Sequence, residues 1–402
     1  MVMAPGRALK LDPIKSIKKA PEEEYYQSGH RTCQGCLSAL PMRLMAKAAG
    51  PRTIVLGATG CMYVANTTYM STPWVVPWMH TQLGAAGSAA LGTSAGLKAL
   101  MRKGKMTDEP INVIAFCGDG GGADMGLAAI SAALTDVEYN LLIFLYDNES
   151  YANTDIQSSG QTPWGAVTTF SPTGKKHRIM QRRWKKNVPG MLAAGHPDAR
   201  YIASGTPAIP VDMMDKVRAA LSAGGPTYMH VLDPCPKGWH YDPEHSNELG
   251  KLAIETGIYP LYEVNQGEAK LTGLTKQISE GKRQRKPVRD YLEKQGRFAH
   301  FKNQDFAYFQ KKIDEMWEQW LIPGVIAFSY GGPINITSDQ AKVRNNNVVR
   351  ENASWVGTPG HAHEEFKDAD TLSTTPGEET EQDWRDDNEL SNYPNAMPST
   401  GQ

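Results

Sequence analysis

Ile111-Asn112-Val113-Ile114-Ala115-Phe116-Cys117-Gly118-Asp119-Gly120-Gly121-Gly122 is the stretch on which the fold turns. An apolar run of strand length ends in a turn made almost wholly of glycine, with one carboxylate in it. Glycine removes side-chain bulk where backbone amides must meet a ligand. The helix expected over 123–134 brings the positive end of its dipole to the same point. A phosphate fits such a backbone. Asp119 would repel it unless a cation stood between them, and Mg²⁺ takes hard oxygen ligands that include carboxylate, phosphate and water.

Outward from this turn, residues 141–146 form the next apolar run, so 111–146 reads as a β-α-β unit with both strands buried. It opens into Asp147-Asn148-Glu149-Ser150-Tyr151, where a side-chain amide oxygen and a backbone carbonyl can complete the coordination. Alone, Gly118-Asp119-Gly120 reads as a simple turn. The second loop, delivered to the same sheet edge, makes a two-part metal and diphosphate clamp. Upstream, a helix entered from Cys33 is stopped by Gly50-Pro51, residues 52–57 read as a strand, and 84–104 carries small residues at helical spacing. Downstream, 211–223 reads as a helix and 227–232 as a strand. The alternation predicts an α/β fold, a doubly wound, mostly parallel sheet with ligand sites at the C-terminal strand ends.

Residues 1–24 read as a flexible N-terminal arm and 25–262 as the ligand-binding domain. Charged, helix-favouring segments at 287–293 and 305–320 make 263–340 a peripheral helical region, and 341–402 reads as an extended or disordered polar tail. With 42 basic and 43 acidic side chains among 402 residues, the chain has no field that would draw nucleic acid or an anionic membrane. Its apolar runs are strand-length, far short of the roughly 20 residues that span a bilayer. The first residues, broken by Lys10, Lys15, Lys18 and Lys19, lack the apolar core of a secretory signal. Five cysteines in such a chain suit thiols in a reducing cytoplasm rather than a disulfide framework.

Cys33-Gln34-Gly35-Cys36, Cys61 after Thr59-Gly60, and Cys235 after Asp233-Pro234 together supply enough thiolates for one [4Fe-4S] cluster. A Cys-x-x-Cys pair alone also fits a redox dithiol, half a zinc site or two unconnected buried thiols. Cys61 and Cys235 each follow an expected strand, near the edge where the clamp lies. Cys117, at the end of an apolar strand, reads as a small buried residue.

Gly118-Asp119-Gly120, followed one helix and one strand later by Asn148, resembles the motif of thiamine-diphosphate enzymes. With the cysteines, and with His30-Arg31-Thr32, Pro77-Trp78-Met79-His80, Tyr151-Ala152-Asn153-Thr154 and Gln157-Ser158-Ser159, the chain over about 25–320 resembles the β subunit of the 2-oxoacid:ferredoxin oxidoreductases. The resemblance implies Mg²⁺ ligation by Asp119, Asn148 and the Ser150 carbonyl, and thiamine diphosphate held also by Thr59, Gly60, Gly118, Gly120, Gly121 and Tyr151. It makes Cys33, Cys36, Cys61 and Cys235 ligands of a [4Fe-4S] cluster, and sets Asn153 and Thr154 as catalytic residues beside the cofactor and the substrate carboxylate. The implied reaction is oxidative decarboxylation of a 2-oxoacid, pyruvate or an aryl 2-oxoacid such as phenylglyoxylate. The acyl group passes to coenzyme A and the electrons to ferredoxin or another acceptor.

No glutamate here sits in a recognisable context for activating the cofactor, so an α subunit is expected to supply it with the substrate pocket, beside γ and ferredoxin-like δ subunits. Leu37 stands where the family often has glycine, and Asp155-Ile156 where some members have two. A non-redox thiamine decarboxylase or carboligase, and a zinc-bound scaffold, are the alternative readings.

Overall fold

The computed structural model describes residues 6–67, 71–322 and 325–326, with side chains as far as residue 318. From the N-terminus its elements are α1 (Ala39–Ala49), β1 (Thr53–Ala58), α2 (Cys61–Asn66), β2 (Trp78–Thr81), α3 (Ala86–Arg102) and β3 (Asn112–Gly118). A wide helical turn (Gly120–Met125) leads into α4 (Leu127–Ala133), β4 (Leu141–Asp147), α5 (Val188–Gly195), β5 (Tyr201–Gly205) and α6 (Pro210–Ser222). Next come β6 (Pro226–Leu232), α7 (Pro236–Trp239), α8 (Ser246–Glu255), β7 (Tyr262–Asn265), β8 (Glu268–Leu271), α9 (Gly273–Ser279), α10 (Arg289–Leu292) and α11 (Asn303–Trp320).

Leu321–Ile322 pairs with Val325–Ile326 in a separate two-stranded sheet, whereas β1 to β8 form one eight-stranded sheet in the order β2-β1-β3-β4-β6-β5-β7-β8. Its pairs are parallel from β2 to β5 and antiparallel at β5-β7 and β7-β8. This is the doubly wound, mostly parallel sheet the alternation predicts. Side chains of β3 leave alternately on two sides. Ile114 and Phe116 join Met42, Phe144, Met213 and Val217 in one core beneath α1 and α6. Val113, Ala115 and Cys117 join Ala90, Ile130, Leu145 and Leu192 in the other. A third core, built on Trp239, Leu252, Tyr291, Phe298 and Phe309, unites α7, α8 and the later helices.

Small residues set the spacing on one face. A Cβ on Gly87 of α3 would lie 2.3 Å from the Ala129 carbonyl oxygen of α4, so the two backbones touch where only glycine fits. Gly50 ends α1 at φ +78, its N–H donating to the Ala46 carbonyl (3.0 Å).

Three features differ from the sequence reading. Where a flexible arm is expected, residues 11–15 are pinned along α6: the Leu11 N–H donates to Ser222 Oγ (3.0 Å) and the Ile14 N–H to Asp215 Oδ1 (2.5 Å), and Ile14 is buried. The expected helix over 123–134 begins as the wide turn, and α4 starts only at Leu127. Past residue 262 the chain first adds the β7-β8 hairpin to the sheet, so helical structure resumes at Gly273 rather than at 263.

Residues 174–178 form a turn closed by the Gly174 N–H on the His177 carbonyl (3.0 Å) and belong to a second unit. The tail expected over 341–402 lies outside the described residues. Among the described residues no helix is long and apolar enough to cross a membrane.

Candidate active site

Strands β1, β3, β4 and β6 are consecutive and parallel, so their C-terminal ends deliver Thr59-Gly60, Gly118-Asp119-Gly120, Asn148 to Ser150 and Asp233 to Cys235 to one edge. One cavity there is lined by Thr59, Gly60, Gly118, Asp119, Gly120, Gly121, Asn148, Ser150, Tyr151, Asn153 and Thr154, which brings together the residues expected for the cofactor. Cys61, Leu83, Tyr146 and Ala152 line it as well. Leu83 and Tyr146 carry no sequence signal, since one precedes a helix and the other reads as an ordinary strand residue. His80, outside the cavity, stacks on Tyr63 and pairs its Nε2 with Thr59 Oγ1 (2.6 Å).

Glycine is compelled at the turn. A Cβ on Gly120 would lie 2.3 Å from a ring carbon of Tyr151, and one on Gly121 would lie 2.7 Å from the Leu83 carbonyl oxygen. Beside them Asp119 is buried and accepts a hydrogen bond from Ser159 Oγ. Burial first, and then the charge of Asp147, push the Asp119 carboxyl well above the usual carboxylate range.

The Asn148 side-chain oxygen faces Asp119 Oδ1 at 3.0 Å and the Ser150 carbonyl oxygen at 2.8 Å. Turned over, the amide would donate to both, which is its arrangement without a cation. With the oxygen inward, the spacing is that of a metal shell. Octahedral ligands about 2.0–2.1 Å from Mg²⁺ stand about 2.9 Å from their neighbours. These residues therefore fit a magnesium ion, whose charge would offset the buried carboxylate. The Ser150 hydroxyl is buried with no protein partner, a polar group free to meet a ligand.

Beneath the loop, Lys185 Nζ bridges Asp147 Oδ2 (2.8 Å) and Glu149 Oε1 (2.6 Å), and His230 Nε2 meets Asp147 Oδ2 (2.9 Å). Burial, the largest influence, pushes the Asp147 carboxyl up, but Lys185 and His230 outweigh it and hold it at about 2. After Tyr151 the chain folds back, with the Tyr151 N–H on the Gln157 carbonyl (2.9 Å), and leaves Asn153 and Thr154 exposed at the tip. Asp155 (φ +86) and Ile156 (φ +64) are both left-handed. Thus the two positions where relatives can carry glycine have glycine-like backbone.

The cysteines converge on the same edge. Cys33 and Cys36 share a turn closed by the Cys36 N–H on the Cys33 carbonyl (3.0 Å), Cys61 opens α2, and Cys235 caps α7 by accepting the Gly238 N–H at Sγ (3.3 Å). Burial pushes the Cys61 thiol up, and the neighbouring Cys235, Cys36 and Cys33 push it further. Cys36 is likewise pushed up to about 12, by burial and then by Cys235. Such thiols stay protonated unless a metal centre takes them as thiolates.

Among the described residues no three His, Cys, Asp or Glu side chains are close enough to hold a single metal ion. One zinc would require sulfurs about 3.8 Å apart, from Zn–S bonds near 2.3 Å. Four thiols at one edge are the donor set that a [4Fe-4S] cluster would take, each ligand binding a different iron. Cys117 is fully buried on β3, apart from the set.

No glutamate lines the cavity among the described residues. Residues 58–231 match the family described as "Thiamine pyrophosphate enzyme, C-terminal TPP binding domain". The chain is 46% identical over 300 residues to pyruvate synthase subunit PorB of Methanocaldococcus jannaschii, covering 74% of this chain and 97% of that one. It is 37% identical over 328 residues to PorB of Pyrococcus furiosus, covering 75% and 96%. To ketoisovalerate oxidoreductase subunit VorB of Pyrococcus horikoshii it is 35% identical over 313 residues, covering 77% and 96%. Relatives matched over nearly their whole length, on a sheet whose strand ends meet in one glycine-lined, acid-bearing cavity, leave no other home for the chain: it belongs to the 2-oxoacid:ferredoxin oxidoreductases, as a β subunit with the thiamine-diphosphate-binding domain.

Proposed function

We propose that this chain carries the thiamine-diphosphate half of an active site that oxidatively decarboxylates pyruvate and passes the electrons to a [4Fe-4S] cluster held by Cys33, Cys36, Cys61 and Cys235. The position of Cys61 carries the reading: it lines the cofactor cavity and also lies within electrostatic reach of the other three thiols. Pyruvate is preferred because identity to the pyruvate synthase subunits (37–46%) is higher than to the ketoisovalerate oxidoreductase subunit (35%).

When bound, thiamine diphosphate supplies the nucleophilic carbon and the sink for the electrons left by departing CO₂. Asp119, Asn148 and the Ser150 carbonyl would hold its Mg²⁺. Gly118, Gly120 and Gly121, with Thr59 and Gly60, keep side-chain bulk from the diphosphate, and the Tyr151 ring packs against Gly120. Asn153 and Thr154, at the mouth, orient the substrate carboxylate. With no glutamate lining the cavity among the described residues, cofactor activation falls to an α subunit in this reading, in a cytoplasmic complex with γ and ferredoxin-like δ subunits that uses coenzyme A and ferredoxin or another acceptor.

The test is anaerobic isolation of the native complex, followed by assay of iron, acid-labile sulfide and thiamine diphosphate and a panel of 2-oxoacids with coenzyme A. Pyruvate should be turned over fastest, ahead of ketoisovalerate and phenylglyoxylate. Absence of iron and sulfide would sink the redox reading in favour of a non-redox thiamine enzyme. Stoichiometric zinc without thiamine diphosphate would leave only a scaffold.

A further inference from the structure

Glu149 stands between Asn148 and Ser150 at φ +65, a left-handed conformation that side-chain-bearing residues rarely adopt. This turn lets the residues on either side of Glu149 present a side chain (Asn148) and a carbonyl (Ser150) to the same point beside Asp119. What holds it is visible atom by atom. The Glu149 N–H donates to Asp147 Oδ1 (2.9 Å), its carbonyl accepts from Thr162 Oγ1 (2.7 Å), and Oε1 accepts from Lys185 Nζ (2.6 Å). The remaining oxygen, Oε2, accepts from Arg297 Nη2 (2.5 Å).

Arg297 comes from far along the chain, in the short turn Gly296–Phe298, and only 2% of it is exposed. Gln295 Oε1 accepts from its Nε (2.9 Å) and Nη2 (2.7 Å), fixing the plane of the guanidinium. The guanidinium carbon Cζ lies over Trp239, 4.1 Å from the ring centre, and Trp239 Nε1–H donates to the Asn148 carbonyl (2.9 Å). The one cation therefore grips the loop twice, directly at Glu149 and through Trp239 at Asn148. Burying a guanidinium and a carboxylate is no efficient way to gain stability, since an apolar pair of similar volume commonly serves as well. The placement calls for another reason.

We propose that Arg297 is a positioning residue for the metal loop, holding the Glu149 turn so that Asn148 and Ser150 meet Asp119 in a site already shaped for a divalent cation and its diphosphate. The inference rests on the clamp reading given above. Arg297 touches neither cofactor nor substrate, so it acts on metal-dependent binding rather than on the reacting atoms.

The test uses the native complex and measures thiamine diphosphate binding across a range of Mg²⁺ concentrations. The variants are Arg297→Lys, which keeps the charge but loses the fork, and the pair Glu149→Gln with Arg297→Met. The pair leaves no unpaired buried charge, so it stays informative even if Arg297→Met alone fails to assemble. The expected result is that the pair assembles and keeps its iron, while the Mg²⁺ needed for half-maximal cofactor binding rises roughly 10–100-fold, as for other residues behind a ligand. Saturating Mg²⁺ should then restore kcat, and Arg297→Lys should fall between the two. Wild-type Mg²⁺ dependence in the pair overturns the inference. So does a loss that no Mg²⁺ concentration recovers and that tracks loss of iron and assembly, which would mark a purely structural role. If wild-type binding shows no Mg²⁺ dependence, the clamp reading falls and takes this inference with it.

Discussion

The side-chain amide of Asn148 comes within 3.0 Å of Asp119 Oδ1, although the two residues follow different strands, and with its nitrogen inward it donates to that carboxylate and to the Ser150 carbonyl. A cation would draw the amide oxygen inward instead, and without one the Asp119 carboxylate carries the cost of its burial. Asp119→Asn should therefore abolish Mg²⁺-dependent thiamine diphosphate binding without lowering the melting temperature of the cofactor-free protein. Wild type at about 100 times the dissociation constant should gain roughly 2.7 kcal/mol on adding both ligands. Thermal melts with and without them check this, and an equal gain in the variant would refute the assignment.

Cys61 and Cys117 are both pushed up by burial but differ in neighbours: Cys61 faces three other thiols, whereas Cys117 feels chiefly Asp119. Cys61→Ser, or the same change at Cys36 or Cys235, should deplete iron and acid-labile sulfide in the anaerobically purified complex. Cys117→Ala should keep both and lose only about 1 kcal/mol through a small cavity. Iron loss on changing Cys117 would mean the wrong thiols have been chosen.

The parts legible in the sequence were those written into consecutive residues. β3 and β4 are continuous apolar runs because both their faces are buried, and the clamp follows from what stands at their ends. β2 and β7 are four-residue strands near the edges, too short for periodicity to separate from loop, and β5 is hidden the same way. The four cysteines could be proposed from spacing, but their convergence needed the fold. Arg297 had no signal, since its link to Glu149 joins residues 148 positions apart and a lone arginine within a short turn reads as surface charge.

Gly120 and Gly87 separate cofactor geometry from packing. In Gly120→Ala the new methyl would sit 2.3 Å from the Tyr151 ring, which must swing into the cavity or away from it. Thiamine diphosphate binding should fall at least tenfold while the fold persists. In Gly87→Ala the methyl meets the Ala129 backbone, which cannot yield, so α3 and α4 must part. That change should cost about 1–3 kcal/mol of stability and leave cofactor affinity per folded complex unaltered. Chemical denaturation and titration of both variants distinguish the two effects.

Asp155 and Ile156 share left-handed backbone but differ in what glycine would remove. Asp155 is exposed, and its 3.5 Å pair with Lys237 is exposed on both sides and contributes little. Asp155→Gly relieves a conformation costing about 1–2 kcal/mol and gives back about 0.4–1 kcal/mol through a more flexible unfolded chain. The net should be neutral to about 1.6 kcal/mol stabilising. Ile156 is buried, with its Cδ1 beside Gly238 near Cys235 Sγ, so its side chain anchors the base of the Asn153 and Thr154 tip. Losing that burial costs more than the strain returns, and Ile156→Gly should destabilise by about 1–3 kcal/mol. The loosened tip should raise KM for the 2-oxoacid more than it lowers kcat, because the residues it carries bind and orient rather than supply the electron sink. An unchanged KM in a folded Ile156→Gly complex would remove the tip from substrate recognition.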